Sequence, residues 1–479
     1  MSNDTYPQED TKNKRRIYTL EGLTPEVKAV CFAKCSRSPE SFDEIAKELT
    51  EEKSSEFHEK WVVGYGHSSV AEHAIISIAL ENISILATKV VEDNRLASYT
   101  EKSTRYQVFD KNRYLKPERI MKSDLKDIYE RAGDYLFQVY EALSEPMMEF
   151  IKKKDPKKPD MGEKMYNSIC KAKVCDNVRY LLPASTQTNL GMTINARNLD
   201  WAITKLMSHP LEEMQEIGTE LKEVASKVTP TLEKFADKNP YLMETDKELA
   251  HLSSWLFNNE PAGSNLPVKL VDYDKDAENK LVSALLYRNS NLPYSQIKSK
   301  IEKIPNAIKT AIIDEALKRR NPFDRPLREL EHIYYTFDTL MDYGAFRDVQ
   351  RHRMATQTNQ KVTIEHGFSI PDDIIEAGYE TGFKNAMAVA EEAYHKIYKQ
   401  FPDEAQYIIP LAFRKRTLFT WNLRELHHFI PLRSGKKGHI SYRRIAQECW
   451  REIERVHPLL AKYIRVDLSD ETVSTAGSK

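Results

Sequence analysis

The chain carries an internal repeat, and this repeat constrains its fold more than any other feature. In the first half, Val178 to Pro183 is followed, twelve residues past its proline, by Asn195-Ala196-Arg197. In the second half, Ala405 to Pro410 is followed at the same spacing by Asn422-Leu423-Arg424. Strand-like and helical patterns around these motifs also come in the same order, which indicates a duplicated unit. We therefore predict two similar domains of roughly two hundred residues each, a common domain size.

Polar segments without periodicity set the predicted domain boundaries. Prolines, a glycine and a serine clustered between Asn239 and Asp276 are typical of a connecting segment. The predicted organisation is a polar N-terminal tail at 1–24, a first domain at 25–238, a linker region at 239–276, a second domain at 277–466 and a polar C-terminal tail at 467–479.

Hydrophobic periodicity predicts the elements inside each domain. Ala74 to Leu80 alternates as a half-buried strand, the pattern turns helical from Ile83 to Arg95, and Ile151 to Met161 is a predicted loop. In the second half, residues 333–337 repeat the strand pattern and Tyr343 to Met354 the helical one. Because the chain has no Gly-rich dinucleotide fingerprint, we predict an α+β fold, with a small sheet flanked by long helices in each domain.

Charge and composition exclude several function classes. A formal net charge of -1 argues against a general nucleic-acid binder, although a local anion site stays open. The chain has no apolar run of the roughly eighteen residues that a membrane span needs. Its polar N-terminus lacks the apolar core of a signal peptide, which predicts a cytoplasmic protein. Five cysteines, an odd number, are predicted to be reduced thiols.

Short motifs in both halves could bind an anion, but each alone is weak. Arg351-His352-Arg353 lies at a predicted helix end, where three such residues are by themselves more typical of a solvated basic surface. Ser103 and Arg105 lie two apart in a predicted loop and could bind a phosphate or a pyrimidine edge. His67 and His73 lie six apart, unlike the four-residue spacing of a helical histidine pair, so no metal site is predicted.

The motifs are specific as a set. They are a Gly-His-x-Ser-x-x-Glu-His element from Gly66, the Arg-His-Arg triplet, Ser-x-Arg-Tyr from Ser103, Arg-x-x-Leu-Pro from Arg179, and Asn-x-Arg before Leu-Arg. In this order they resemble the signature of flavin-dependent thymidylate synthases, the ThyX family, and the chain looks like two such domains in tandem. The resemblance implies reductive methylation of dUMP to dTMP, with methylenetetrahydrofolate as carbon donor and NADPH as reductant through FAD. It also implies a homotetramer with sites between subunits, and no cysteine nucleophile.

The resemblance assigns roles position by position. Residues that match the flavin-binding positions are His67, Ser69 and Glu72 in the first half and Arg351, His352, Arg353, Asn422 and Arg424 in the second. Residues that match the dUMP-binding positions are Ser103, Arg105, Arg179, Arg351 and Arg433. Of these, Arg105 and Arg433 are the predicted catalytic residues.

Each half lacks motifs that the other half keeps. In the first half, Asp93-Asn94-Arg95 stands in place of the triplet, and Leu206 stands where the late arginine belongs. The second-half replacements are Lys361 to Ile364 for Ser-x-Arg-Tyr, Gln406 for the arginine before Leu-Pro, and Pro326 for the early histidine. The resemblance therefore implies composite sites between unlike halves. We expect a homodimer that acts as a pseudo-tetramer, and a reciprocal pocket, with Asp93 against Thr363 and Gln406, that stays empty of dUMP.

Three hypotheses about function remain open. The favoured one is an active flavin enzyme with composite sites, because the retained residues supply two sides of one pocket. The second is a degenerate homologue that binds nucleotide or flavin, or serves as a structural partner, without turnover. The third is a flavoenzyme that methylates a different pyrimidine, since clamps for phosphate and carbonyl groups do not identify the base.

Overall fold

The computed structural model of the chain describes residues 15–58, 68–232, 236–258, 260, 263 and 265–470. In these ranges the chain forms two small antiparallel sheets flanked by helices, which confirms the predicted α+β class and tandem arrangement. No helix of the described ranges is long and apolar enough to cross a membrane. The five cysteines are free thiols, as predicted.

The helices and strands come in a similar order in the two halves, although the first half has one more helix between its second and third strands. The elements of the first half are α1 (Pro25–Cys35), α2 (Phe42–Glu48), α3 (Glu51–His58), β1 (Ile75–Ser84), α4 (Ile85–Val91), β2 (Ala97–Glu101), α5 (Glu118–Met121), α6 (Lys126–Lys154), α7 (Glu163–Val178), β3 (Gln187–Asn195), α8 (Ala196–Met207) and α9 (Glu212–Ser226). Between the halves lie α10 (Pro240–Leu256) and β4 (Val268–Tyr273). The elements of the second half are α11 (Ala277–Tyr287), α12 (Tyr294–Ile301), α13 (Asn306–Leu317), β5 (Tyr334–Asp342), α14 (Tyr343–Val349), β6 (Ala355–Asn359), α15 (Asp372–Glu376), α16 (Glu380–Tyr398), β7 (Arg414–Asn422), α17 (Leu423–Ser434), α18 (Ile440–Val456) and α19 (Pro458–Ala461).

The two sheets share one topology. The first has the strand order β1-β3-β2 and the second β4-β5-β7-β6, with antiparallel neighbours throughout. Strands β1, β2 and β3 therefore correspond to β5, β6 and β7, and β4 is an additional edge strand of the second sheet. Short 3-10 turns occupy equivalent places before β1 and β5, at Ser68–His73 and Arg328–His332.

The repeated asparagine has a structural explanation. Asn195 and Asn422 end the central strands, and their side chains accept hydrogen bonds from the backbone N–H of Asn198 and Glu425. Asparagine is a favoured helix N-cap because its side chain satisfies an N–H that the helix leaves unpaired. The fixed spacing from the prolines therefore marks one strand followed by one capped helix in each half.

Strand β1 continues past the predicted Ala74–Leu80 because of a bulge. Its pairing with β3 shifts between Leu80 and Ile83, and Asn82 there has a φ of 59°. Asparagine tolerates this left-handed conformation better than most residues. The bulge interrupts the two-residue period, so the strand after it could not be read from the sequence. The following helix, predicted from Ile83, begins only at Ile85, with Ser84 as its N-cap.

Two further boundaries differ from the prediction. Helix α6 continues to Lys154, so the predicted loop at Ile151–Met161 is wrong for its first four residues. Ile151 is buried in the core, and its packing extends the helix into the lysine-rich stretch. Helix α14 ends at Val349, so the Arg351 triplet lies just beyond the helix instead of in its predicted last turn.

The stretch at 239–276, predicted as a linker region, contains regular structure. Pro240 lies in the first turn of α10, where its missing N–H costs nothing, and Pro267 directly precedes β4. Strand β4 pairs with β5, so this part of the stretch belongs to the second sheet. Helix α10 has no buried side chain, and its Tyr241 and Trp255 are both 71% exposed.

The two halves are joined by backbone pairing around Pro183 and Pro410, which face each other. Ala184 N donates to Ile409 O at 2.8 Å and Leu411 N donates to Leu182 O at 2.9 Å. Helices α6 and α16 pack beside this seam, and one continuous hydrophobic core contains residues of both halves. The two halves therefore share one hydrophobic core across this interface.

A buried ion network lies next to the seam. The Glu101 side chain, at the end of β2, has 0% exposure, and it accepts from Lys89 Nζ at 3.0 Å and from Arg347 Nη2 at 2.5 Å. Arg351 Nη2 lies 3.8 Å away. Burial alone would raise the pKa of Glu101, but Arg347, Lys89 and Arg351 outweigh it and hold the pKa at about 2. The ionised state of this first-half carboxylate thus depends in part on cations of the second half.

We predict that Glu101→Gln lowers the free energy of unfolding at pH 7 by about 3–5 kcal/mol, because it leaves buried cations without their counter-charge. Urea unfolding would measure the change. Glu81→Gln, on the exposed face of β1, is the matched control and should stay within about 0.5 kcal/mol of the wild type. Equal stabilities of the two variants would contradict the role given to Glu101.

The wild type and Glu101→Gln can also be compared as a function of pH. The pKa of Glu101 is about 2 in the folded chain and near 4.5 in the unfolded chain. Its stabilising contribution is therefore complete above pH 4.5 and is lost as the pH falls towards 2. The stability gap between wild type and Glu101→Gln should narrow as the pH is lowered from 5 to about 3. A constant gap across this window would contradict the assignment.

Candidate active site

Side chains from both halves meet beside the last turn of α14. The first half contributes Ser103 and Arg105, in the loop after β2, and Arg179, at the start of a 3-10 turn. The second half contributes Asp348 within α14, Arg351 just after it, and Arg433 in the last turn of α17. We call Arg105, Arg179, Arg351 and Arg433 around Asp348 the arginine cluster. The structure thus brings together, in one chain, the residues that the sequence assigned to dUMP.

Arg105 is fixed by contacts to both halves. Its Nε and Nη2 donate to the two carboxylate oxygens of Asp176 at 2.6 and 2.8 Å, and its Nη1 donates to the Tyr442 hydroxyl at 3.2 Å. Its backbone N–H donates to Ser103 Oγ at 3.1 Å, which shapes the loop. A bidentate arginine–carboxylate pair is strong and directional. The guanidinium is therefore held in one orientation and still has N–H groups available for a ligand.

Asp348 lies at the centre of the cluster. Its Oδ1 is 3.6 Å from Arg433 Nη1, and its Oδ2 is 4.0 Å from Arg179 Nη1. Burial would raise the pKa of this carboxyl, but Arg433, Arg179, Arg351 and Arg105 hold it at about 2. Asp348 is therefore ionised at neutral pH, and it partly offsets the charge of the four guanidiniums.

Arg179 lies behind the carboxylate and is 2% exposed. Its Nε and Nη2 have no hydrogen-bond partner in the described part of the chain. Leaving buried donors unsatisfied is costly. Together with the surplus of guanidiniums, these unmet donors indicate that the cluster is built to hold an anionic or carbonyl-bearing ligand.

His352 has a defined tautomer. Arg433 Nε donates to His352 Nε2 at 2.9 Å, so this ring nitrogen is the acceptor, and Nδ1–H must donate to Glu425 Oε1 at 3.0 Å. Burial, reinforced by Arg433, lowers the pKa of His352 well below its usual range. Burial also raises the pKa of Glu425 to about 7. His352 is thus a neutral link between Glu425 and Arg433.

His352, Glu425 and His428 also form a group that could hold a metal ion, with candidate ligand atoms within 4.8 Å of one another. No metal site was predicted from the sequence. The tautomer of His352 disfavours coordination, because a neutral ring that bound metal through Nδ1 would carry its proton on Nε2 and face the Arg433 donor. The group is better explained as the support of Arg433.

The predicted flavin-binding residues lie in two separate places. Ser69 and Glu72 are in the 3-10 turn before β1, where Glu72 pairs with Arg197. Asn422 and Arg424 lie at the equivalent place in the second half, where Arg424 donates to Glu331 at 2.7 Å and to Pro326 O at 2.9 Å. Among the described residues, no hydrogen bond or ion pair joins Ser69 or Glu72 to the second-half set. His67 lies outside the described residues.

Arg351 and Arg353 extend the basic surface towards the first half. The Arg351 side chain is 49% exposed. Arg353 lies 4.9 Å over the ring of Tyr99 on β2. The predicted triplet is therefore divided in function: His352 points inward to Arg433, and both arginines contact first-half residues.

The reciprocal pocket lacks the arginine cluster. Gln406, which replaces Arg179, is fully engaged: its Oε1 accepts from Val362 N and its Nε2 donates to Asp403 O, each at 3.1 Å. Asp93, which replaces Arg351, is exposed and lies 3.5 Å from Lys205. Leu206, which replaces Arg433, is in the core.

The cavities of the two halves differ in size. A cavity of about 660 Å³ lies beside Arg105, Asp176 and Tyr180. A cavity beside Tyr407 is only about 190 Å³. Both are lined by side chains of both signs, the smaller one by five glutamates, Glu118, Glu212, Glu213, Glu216 and Glu404, together with Lys116 and Arg119.

Several residues of the site were missed by the sequence analysis. Asp348 lies three residues before Arg351, a helical spacing that puts both on one side and could have drawn attention to it. Asp176, Glu425 and Tyr442 carry no such signal. Their partners are between 71 and 337 positions away in sequence, so only the folded chain reveals them.

The match to a protein-family model agrees with the repeat. A family model described as "Thymidylate synthase complementing protein" matches residues 20–231 and 269–459. A UPF0159 protein of Chlamydia pneumoniae is 32% identical over 489 aligned residues, covering 95% of this chain and 92% of its own length. A flavin-dependent thymidylate synthase of Clostridium tetani is 27% identical, over 44% of this chain and 82% of that protein. A crystal structure of the Helicobacter pylori ThyX protein with FAD and dUMP matches 42% of this chain and all of that chain, at 16% identity and a TM-score of 0.34.

We predict that Arg433→Leu raises the pKa of His352, because the substitution removes a nearby positive charge and the donor to Nε2. Nitrogen NMR of protein labelled at histidine would follow the ring. In the wild type, His352 should stay neutral, with its proton on Nδ1, at pH values where an ordinary histidine is already protonated. Arg444→Leu, an exposed arginine on α18, is the control. Identical titration of His352 in all three proteins would contradict the link to Arg433.

Proposed function

The chain belongs to the thymidylate synthase complementing protein family, and on that premise we propose that it is a flavin-dependent thymidylate synthase whose site is shared by its two unlike halves. Its substrate is dUMP and its product dTMP. The observation that carries the proposal is the arginine cluster, in which Arg105 of the first half and Arg433 of the second flank one carboxylate.

The charge of the cluster fits a nucleoside monophosphate. Four guanidiniums stand against the carboxylates of Asp348 and Asp176, which leaves an excess of two positive charges. The neighbouring Glu101 and Glu92 are balanced by Arg347 and Lys89. If Asp342, which interacts with Arg179, is also counted, the excess is one positive charge. A net positive charge of one or two suits a negatively charged phosphate.

The proposed roles are those that the family resemblance assigns, and this geometry supports them. Ser103, Arg105, Arg179, Arg351 and Arg433 bind the nucleotide, and of these Arg105 and Arg433 act as the catalytic residues. A fixed guanidinium beside the pyrimidine carbonyls stabilises the negative charge that develops when the ring is attacked, an effect that can be worth about 3 kcal/mol per donor. Glu425 and His352 hold Arg433 in place.

The second-half residues also fit FAD. Arg351 lies 3.8 Å from Glu101 but keeps about half of its side chain exposed, and Arg353 forms no ion pair in the described ranges, so both guanidiniums can still reach a pyrophosphate. Arg351, His352, Arg353, Asn422 and Arg424 would hold the cofactor there, with His67, Ser69 and Glu72 at its other end. When bound, FAD would carry reducing equivalents from NADPH to the substrate. The assignment of NADPH and methylenetetrahydrofolate rests on the family resemblance.

We place two chains in the active assembly, a homodimer equivalent to four domains. Among the described residues of one chain, no hydrogen bond or ion pair joins Ser69 or Glu72 to the second-half flavin residues, and we propose that a second copy completes the cofactor site. Closed two-fold symmetry is the commonest arrangement. The five free thiols accord with the reducing cytoplasm.

A non-catalytic homologue is the second candidate function. It is favoured by the pairing of Glu72 with Arg197 and of Arg424 with Glu331, which occupies two of the expected flavin-binding groups. Such a protein would bind flavin or nucleotide without forming dTMP.

The purified chain should carry oxidised flavin, which absorbs at about 450 nm. Titration of the flavin-loaded protein with dUMP should saturate at one per chain. Turnover with methylenetetrahydrofolate and NADPH separates the two candidates, because the non-catalytic protein would bind but form no dTMP. Saturation at two per chain would contradict the division of labour between the halves.

Substitutions at equivalent positions of the two halves sharpen this test. Arg105→Ala and Arg433→Ala, from opposite halves, should each abolish dUMP binding. Arg351→Ala should weaken it at least tenfold through loss of a phosphate or carbonyl contact. Asp93→Ala, at the matching position of the first half, should bind as the wild type does. Normal binding by either Arg105→Ala or Arg433→Ala would contradict the composite site.

Light scattering tests the assembly. The flavin-loaded protein should have the mass of two chains. A stable monomer with full flavin occupancy would show that one chain completes the cofactor site alone, and it would rule out the proposed homodimer.

A further inference from the structure

Helix α10 lies on the surface without support from the rest of the chain. It has 17 residues, none of its side chains is buried, and it packs closely against no other helix or strand of the described ranges. Asn239 caps its first turn by accepting from Tyr241 N at 3.0 Å, but such a cap contributes only about 1 kcal/mol. A helix of this length is marginal in water unless an apolar face packs against something. A packing partner for α10 is therefore missing from the single chain.

The exposed apolar side chains of α10 follow the spacing of a helix–helix contact. Leu249, Leu252 and Leu256 recur at intervals of three and four residues and are 60, 46 and 59% exposed. Leu242 continues the series seven residues earlier, and Trp255 borders it at 71% exposure. Alternating intervals of three and four residues form a narrow stripe that packs against a matching stripe of another helix. We call Leu242, Leu249, Leu252 and Leu256 the α10 stripe.

Other candidate partners fit this stripe less well. The terminal segments 1–14 and 471–479, which lie outside the described ranges, contain two apolar residues each and so offer no matching stripe. A lipid surface attracts helices with a basic polar face. In α10 the polar side chains include Glu244, Asp246 and Glu248 against the single cation of Lys247. This acidic excess disfavours an anionic membrane.

We propose that the α10 stripe is the surface through which two copies of this chain associate, with α10 of one copy packed antiparallel against α10 of the other across a two-fold axis. This inference rests on one part of the proposed function, the homodimer, and names the surface that forms it. Helix α10 lies between the segments 20–231 and 269–459 that the family model matches, so the contact does not follow from the family resemblance. A two-fold contact needs only one self-complementary patch, which the stripe supplies.

The charges of α10 favour the antiparallel orientation. All three carboxylates, those of Glu244, Asp246 and Glu248, lie in the N-terminal half of the helix, and the half from Leu249 to Leu256 has none. An antiparallel pair places each acidic half beside the half that lacks carboxylates. A parallel pair in register would bring like charges together, which costs free energy.

The exposed area is sufficient for a specific contact. At exposures of 46–71%, Tyr241, Trp255 and the three exposed leucines of the stripe present about 600 Å² per chain, so two copies would bury about 1,200 Å². Stable, specific interfaces begin at about this size.

Leu249→Glu/Leu252→Glu tests the contact. In the antiparallel pair Leu249 of one copy faces the partner's Leu252, so the double substitution places like charges opposite each other at the centre. The dissociation constant of the flavin-loaded dimer, measured by sedimentation equilibrium, should rise at least a hundredfold. Because neither side chain is buried, the chain should still fold, and near-ultraviolet circular dichroism checks this. Ile308→Glu, at a 48% exposed position of α13, is the control and should keep the wild-type constant.

Leu249→Glu/Leu252→Lys tests the orientation. It brings opposite charges together between copies only if the helices are antiparallel, so it should dimerise at least tenfold more tightly than Leu249→Glu/Leu252→Glu. Equal dissociation constants of the two double variants would overturn the antiparallel arrangement.

Hydrogen exchange of the wild type needs no substitution. The backbone amides of α10 should exchange slowly at concentrations where the chain is dimeric and rapidly after dilution to the monomer, because the isolated helix opens readily. Rapid exchange of these amides in the dimer would overturn the inference.

The remaining outcomes separate this inference from the homodimer itself. If Leu249→Glu/Leu252→Glu dimerises as the wild type does, the inference fails and the proposed homodimer stands. A monomeric wild type would overturn both. Flotation with vesicles of phosphatidylcholine and phosphatidylserine covers the lipid alternative: binding by the wild type that the double glutamate variant loses would assign the stripe to a membrane and overturn the inference.

Discussion

A carboxylate that cannot be ionised in isolation organises the centre of the molecule. Glu101 is fully enclosed, so its charge depends on Lys89 from its own half and on Arg347 and Arg351 from the other. Arg347 also donates to Thr104 in the loop that carries Arg105. Arg347 therefore both compensates for burying the charge of Glu101 and holds the loop of Arg105 against the second half. In the second sheet the position equivalent to Glu101 is Asn359, a neutral residue that accepts a hydrogen bond from Thr417, so the second sheet does not repeat this charged centre among the described residues.

The two halves use different residues for equivalent buried contacts. In the first half, Ser84 caps α4 and donates to Glu213, which also accepts from Tyr407 at 2.8 Å. In the second half the N-cap residue is itself the acidic residue. Asp342 caps α14 and accepts from Ser441, with Tyr180 beside it. Each arrangement satisfies its buried groups, as a low-dielectric interior requires. The energetic cost of the difference between the halves is therefore small at these positions.

The sequence was informative where a feature is local and poor where it depends on distant contacts. The spacing from proline to Asn195 and Asn422 predicted the duplication, because strand length and helix capping are local properties. The convergence of Arg105 and Arg433 followed from what each half had lost. By contrast, the bulge at Asn82 hid the end of β1. Asp348 was overlooked because three of the four guanidiniums around it come from distant segments of the chain. The roles of the flavin residues remain predictions.

The seam at Pro183 and Pro410 has a consequence for how the chain is made. Ala184 must wait for Ile409, 225 residues later in the sequence, before its backbone N–H finds its partner. At typical rates of synthesis this delay is roughly 10–45 s. During that time the first half leaves the ribosome with an unpaired backbone edge and a buried acid still lacking Arg347. A nascent chain in this state offers a natural target for chaperones and a route to exchange of halves between neighbouring chains on one message.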